Sequence, residues 1–263
     1  MTEVAQTKLQ QMLNKVPEVT LGFWTVKIMS TTVGETCADY LAVNIGWGKA
    51  TTGTVMALLL FGALMIQLKS RRYIPSIYWL TVVLISIVGT QITDLLTDKL
   101  GVSLYLSTTV FSLALAVIFA IWYWTEKTLS VHTIVTRRRE LFYWGAILCT
   151  FALGTAAGDL ATEALGWGFK IGVVIFGVAI ALTGAAYRVG LNSVLAFWIT
   201  YILTRPLGAS LGDLLSQSPE YGGLGLGTVN TSIIFLSVIV AIVGFLSVKQ
   251  NRTLKLDKFN GVD

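Results

Sequence analysis

The sequence predicts an all-α integral membrane protein. Eight transmembrane helices are expected, as four parallel two-helix repeats around a polar core lined by helices 1, 3, 5 and 7. Three observations predict it: composition, a series of long apolar runs, and a motif that returns four times. Hydrophobic residues make up 54% of the 263 residues and charged residues only 13%, about half the charge of an ordinary soluble domain at roughly 25%. Mean hydropathy is +0.73. So little charge across the whole length leaves no room for a soluble module, and a single membrane domain at 20–248 follows.

A hydrocarbon core about 30 Å thick needs about 20 apolar residues per helix. The runs that meet this are 20–43, 51–68, 75–97, 104–125, 140–164, 168–187, 192–215 and 227–248. The even-numbered runs are nearly pure hydrocarbon, as in "VMALLLFGALMI" and "IIFLSVIVAIVGFL"; the odd-numbered ones carry the polar residues. Ahead of them, residues 1–19 lack the contiguous apolar block of a signal peptide. Val4, Leu9, Met12, Leu13 and Val16 recur at near-helical spacing before Pro17, which predicts a short interfacial helix. Residues 249–263 read as a polar tail.

Basic residues set the expected orientation. Lys8, Lys15, Lys69, Arg71, Arg72, Lys127, Arg137, Arg138, Arg139, Arg188, Lys249, Arg252, Lys255 and Lys258 fall on one side, and Lys49, Lys99 and Lys170 on the other. The positive-inside rule then puts both termini in the cytoplasm of a bacterial inner membrane. The net charge of +5 belongs to that face and argues for anionic lipids as partners rather than nucleic acid. Cys37 and Cys149 lie in apolar helices, where a thiol packs as a small hydrophobe.

The repeat is the strongest signal. "GETCAD" at 34–39 returns as "GTQITD", "GTAAGD" and "GASLGD", which places Gly34, Gly89, Gly154 and Gly208 five residues before Asp39, Asp94, Asp159 and Asp213. Fifteen residues before each Asp stands a tryptophan: Trp24, Trp79, Trp144 and Trp198. Each copy contains two spans, so every copy enters the membrane in the same direction, and a pseudo-symmetry axis along the membrane normal is expected. On these residues the chain resembles a bacterial membrane-protein family defined by four tandem copies of a repeat of unknown function, each with two transmembrane segments and a characteristic tryptophan. The resemblance implies the architecture and brings no activity with it.

Steps of four along the odd helices give polar stripes. Helix 1 carries Lys27, Thr31, Glu35 and Asp39; helix 3 carries Ser86, Thr90, Asp94 and Asp98; helix 5 carries Thr155, Asp159 and Glu163; helix 7 carries Tyr201, Arg205 and Asp213. A charge facing lipid at mid-membrane costs about 2.5–3.5 kcal/mol, so the stripes should turn inward, with the repeated glycines allowing close helix approach. Lys27 and Arg205 have no basic counterparts in the other repeats. Pro206 should free a backbone carbonyl beside Arg205. The "GWG" at 46–48 and 166–168 reads as an interfacial anchor through its tryptophan.

This donor set suits a small hard cation, and carboxylates in a low dielectric also relay protons. The expected function is secondary transport of a small cation, a divalent metal ion first, with Asp39, Asp94, Asp159 and Asp213 as metal ligands, Glu35 assisting, and protons moving through the same carboxylates. The metal is substrate; no covalent cofactor is expected. A static buried charge network in a sensor or structural module, or a proton-conducting channel, is the alternative. His132 is the only histidine, and no nucleophile–base constellation marks an enzyme.

Overall fold

The computed structural model describes residues 14–259, with side chains over 14–250 and at 252. Most of the expected interfacial segment and the last four residues therefore lie outside the described residues. Among the described residues the chain is helical, without strands. The long helices are α1 (Leu21–Asp39), α2 (Gly48–Lys69), α3 (Pro75–Asp94), α4 (Leu104–Glu126), α5 (Arg137–Asp159), α6 (Gly168–Arg188), α7 (Ser193–Ser216) and α8 (Thr228–Phe259).

Their starts follow from local chemistry. Thr20, Ser103, Thr136 and Asn192 each accept a backbone N–H of the first turn, which satisfies donors that a helix leaves unpaired. Pro75 opens α3 at a position where its missing N–H costs nothing. Residues 14–19 are not helical. Pro17 disfavours helix in the residue before it, and Lys15 is tied instead to the Ile134 carbonyl through its backbone N–H (3.1 Å) and to Glu140 through its ammonium (2.6 Å). At the other end α8 runs without a break past 248, where a separate tail was expected.

Seven of the eight helices, all but α1, are long and apolar enough to cross a membrane. The first helix falls short because Lys27, Glu35 and a run of hydroxyls dilute its apolar residues. Burial explains how it tolerates them: residues 30–36 of α1 are buried on every face, so they meet protein instead of lipid. The other inner helices follow suit, with 61%, 67% and 50% of the spanning window buried in α3, α5 and α7, against 22%, 11%, 11% and 17% in α2, α4, α6 and α8.

The helices α1, α3, α5 and α7 form a closed inner ring, each packed on the next and α7 on α1. Each outer helix leaves its own repeat and packs chiefly on the inner helix of the following one: α2 on α3, α4 on α5, α6 on α7, and α8 back on α1. The repeats therefore interlock, and the last closes on the first.

The repeated residues make the ring contacts. A Cβ placed on Gly34 would strike Ser86, one on Gly89 would strike Phe151, one on Gly154 would strike Arg205, and one on Gly208 would strike Thr31. Thr31, Ser86, Phe151 and Arg205 occupy the same position, eight residues before the Asp, in the four repeats. Each glycine thus receives that residue of the next repeat. The tryptophans behave alike, together with an aromatic residue just before each: Phe23 meets Trp79 (ring centroids 5.5 Å), Tyr78 meets Trp144 (5.4 Å), Tyr143 meets Trp198 (6.3 Å) and Phe197 meets Trp24 (5.6 Å). Tyr78 and Tyr143 also join through their hydroxyls at 2.5 Å. This aromatic layer is a second closed cycle of the same handed order.

Candidate functional site

Three of the four aspartates stand where their helices change form. Directly after Asp39, Asp94 and Asp159 the chain passes from α-helix into a five-residue π-helical turn, at Tyr40–Asn44, Leu95–Lys99 and Leu160–Ala164. Each turn is closed by the same wide bonds: Ile45 N–H to the Tyr40 carbonyl (2.9 Å), Leu100 to Leu95 (3.2 Å) and Leu165 to Leu160 (2.9 Å). These turns end their helices, and a wide i+5 bond with a left-handed glycine just beyond is how a helix C-terminus is capped. The signal for them was in the sequence as a glycine seven residues past each of these aspartates. Gly46, Gly101 and Gly166 have φ of 80°, 66° and 69°, a left-handed conformation open mainly to glycine. Repeat 4 has Glu220 there, and α7 runs on through Asp213 as ordinary α-helix. The "GWG" motif thus owes its glycines to backbone geometry, while its Trp47 and Trp167 lie exposed as expected of an anchor.

The π turns also correct the stripes. A turn closed by i+5 bonds no longer keeps residues four apart on one face, so the step from Asp94 to Asp98 and from Asp159 to Glu163 leaves the stripe. Asp98 and Glu163 are exposed, instead of supporting the inner row. Asp98 pairs with Lys49, whose ammonium also lies 3.3 Å from Asp94. That partner escaped sequence reasoning, because Lys49 stands beyond the loop with no repeat counterpart.

Deeper in the ring, Glu35 and Arg205 form an ion pair at 2.5 Å, with the Arg205 side chain 1% exposed. The same guanidinium nitrogen donates to Thr90 Oγ1, which is placed 3.5 Å from Glu35 Oε2. One cluster therefore joins α1, α3 and α7. Arg205 Nε and Nη1 have no hydrogen-bond partner among the described residues. Pro206 is buried and α7 is continuous through it; Gly158, whose Cβ would lie 3.3 Å from the proline ring, makes room for it.

Around this cluster lie the four aspartates, all half-buried. Glu35 interacts coulombically with each of Asp39, Asp94, Asp159 and Asp213, and Arg205 with Asp39, Asp159 and Asp213. Among the described residues, Asp39, Asp159 and Asp213 have no ion-pair partner within 4.0 Å. No three His, Cys, Asp or Glu side chains among the described residues are grouped to hold a metal ion. The expected four-aspartate metal set is therefore not assembled as a cage here.

Lys27 lies one turn beyond Arg205, toward the aromatic layer. It is 1% exposed, its ammonium has no hydrogen-bond partner among the described residues, and it sits over the Phe151 and Tyr201 rings at 4.1 and 4.3 Å. Among the described residues Lys27 makes no ion pair with the acids. Thr31 bonds across to the Thr204 carbonyl (3.2 Å), Thr155 turns back to the Phe151 carbonyl (3.0 Å), and Ser86 Oγ is buried without a partner. Cys37 and Cys149 are free thiols, Cys37 lying 3.7 Å from the Ser232 hydroxyl of α8.

A family model described as a Repeat of Unknown Function (DUF347) matches the chain four times, at residues 22–73, 77–128, 142–190 and 196–251. No curated protein and no solved structure matches it.

Proposed function

Because the chain belongs to this repeat family, whose description carries no activity, we infer its function from the site: a secondary transporter of a small cation, coupled to protons through the ring carboxylates. The single observation that carries this reading is the surplus of half-buried acid. Asp39, Asp159 and Asp213 are half-buried and without ion-pair partners among the described residues, and such charge is stable only when a proton, water or cation accompanies it. A divalent metal ion is the first cargo class. A hydrated ion such as Mg²⁺ is held by one or two carboxylates and keeps its waters, so an open ring of acids suits it without a preformed cage. Asp39, Asp94, Asp159 and Asp213 take the ion or its exchanged protons, Glu35 assists, and Arg205 with Lys27 closes the far side when the ring is empty.

The two cyclic sets of contacts support four parallel repeats around an acid-lined axis, since each position meets its own counterpart in the next repeat. The charge bias supports a bacterial inner-membrane location with cytoplasmic termini, so the aromatic layer faces the cytoplasm and the π turns face outward, with anionic lipid on the basic side.

Flux into proteoliposomes tests the reading. With a metal-sensitive and a pH-sensitive dye inside, Asp159→Asn is expected to lower divalent-ion influx and the accompanying proton efflux at least tenfold, with the folded yield unchanged. Unchanged fluxes in Asp159→Asn and Asp94→Asn sink the proposal. The Glu35–Arg205–Thr90 cluster favours one rival, a static network in a non-transporting sensor. That rival predicts no saturable stabilisation by any cation at any pH.

A further inference from the structure

Lys27 poses an energetic problem that the transport reading leaves unsolved. Burying an unpaired ammonium is strongly unfavourable, and contact with an aromatic face offsets only part of that cost. The rings therefore soften the cost without removing it. The equivalent Val82 and Ile147 in repeats 2 and 3 are apolar and carry no such cost, both 0% exposed. Repeat 4 supplies Tyr201 at this position, and Phe151 comes from the layer below. Phe151 is bracketed by two cations, Lys27 at 4.1 Å and the Arg205 guanidinium at 6.0 Å from its centroid. No oxygen acceptor among the described residues completes the ammonium, and Tyr201 presents its ring while its hydroxyl is itself without a partner.

We propose that the Phe151 and Tyr201 rings are a second cation site, filled in this state by the Lys27 ammonium as a tethered occupant, and that a monovalent cation of the ammonium class takes the site when Lys27 withdraws. Ring faces without oxygen ligands disfavour a strongly hydrated ion such as Mg²⁺, which requires oxygen around it, and suit a weakly hydrated one. The site rests on the transport reading only in that its occupant arrives through the same ring. Lys27 is then a self-competitor: it keeps the Trp end closed by lying where a passing cation must rest.

Melting of the purified full-length protein in detergent tests this, using ammonium, methylammonium, sodium and magnesium chlorides at matched ionic strength. Lys27→Met is expected to melt at or above the wild-type Tm, and ammonium and methylammonium are expected to raise that Tm saturably by about 5 °C at concentrations well above Kd. Wild type should show no such selectivity, and Lys27→Met with Phe151→Leu should lose it. Equal shifts with all four salts, or a shift that survives Phe151→Leu, overturn the proposal. Lys27→Gln is made in parallel; if neither Lys27 variant folds, the ammonium is a structural support and the proposal falls. Ammonium binding to Lys27→Met together with unchanged flux in Asp159→Asn keeps the aromatic site and removes transport. The reverse pair of results removes only the aromatic site.

Discussion

Glu35 and Asp39 are one helical turn apart and have opposite circumstances. Glu35 is held by Arg205 and Thr90 from two other helices, whereas Asp39 stands half-buried at the start of a π turn with no ion-pair partner among the described residues. The difference sets what each substitution does. Arg205→Met removes one partner of a buried pair and leaves the Glu35 charge uncompensated, a loss of about 3–5 kcal/mol. Adding Glu35→Gln removes the stranded charge, so the double variant is expected to regain most of that stability. Unfolding of both variants in denaturant and detergent measures it, and additive losses would show that the pair does not act as a unit. In the sequence, Thr90, Thr155 and Ala209 stand where repeat 1 has Glu35, and Lys27 and Arg205 are the two cations without repeat counterparts. Only the ring settled that Arg205, 170 positions away, is the one within reach, because i to i+4 logic speaks of faces along one helix and not of which neighbour that face meets.

At the level of the helices, glycine separates inner from outer. Gly154 of α5 is packed so closely that an added Cβ would lie 2.5 Å from Arg205 Cβ, while Gly62 of α2 has nothing within 4 Å. Gly154→Ala is expected to destabilise by about 1–3 kcal/mol through overpacking and to disturb the Glu35–Arg205 pair. Gly62→Ala should be neutral or stabilising by up to about 1 kcal/mol, since alanine favours helix. Comparison of their melting temperatures checks this, and equal effects would contradict the ring contacts. The repeated glycine and tryptophan were legible as spacing. The aromatic residue beside each tryptophan, Phe23, Tyr78, Tyr143 and Phe197, and the glycine seven past three of the aspartates were equally periodic, yet their meaning lay in contacts and dihedrals that spacing does not contain. Helix α1 is the reverse case: polar enough to fail as a lipid-facing span, it qualifies as an inner helix once its neighbours surround it.

Across the whole molecule, closure depends on the last helix returning to the first. Thr36 and Ser232 join α1 to α8 at 2.7 Å, and Cys37 lies beside the same serine. Ser232→Cys therefore places a thiol within bonding reach of Cys37, given that disulfides need Cβ atoms about 3.5–4.5 Å apart. Mild oxidation is expected to crosslink the two helices within one chain, giving a faster-migrating band that reductant removes and that Cys37→Ala abolishes. A crosslink that forms only between chains would mean that α8 packs on a neighbouring copy and that the ring is not closed within the monomer. Taken alone, the amino-acid order determined that the chain is an all-helical membrane protein, that it is built of four two-helix units, and that acids recur at one position in each. Those properties are local or periodic, set by hydropathy over a helix length and by fixed intervals along the chain. The tertiary structure decided which repeat each outer helix covers, which cation neutralises Glu35, that Lys27 rests on aromatic rings, and that no three acids among the described residues are grouped to hold a metal ion. Those properties arise between residues distant in sequence, where the packing of whole helices, and not their spacing, selects the neighbour.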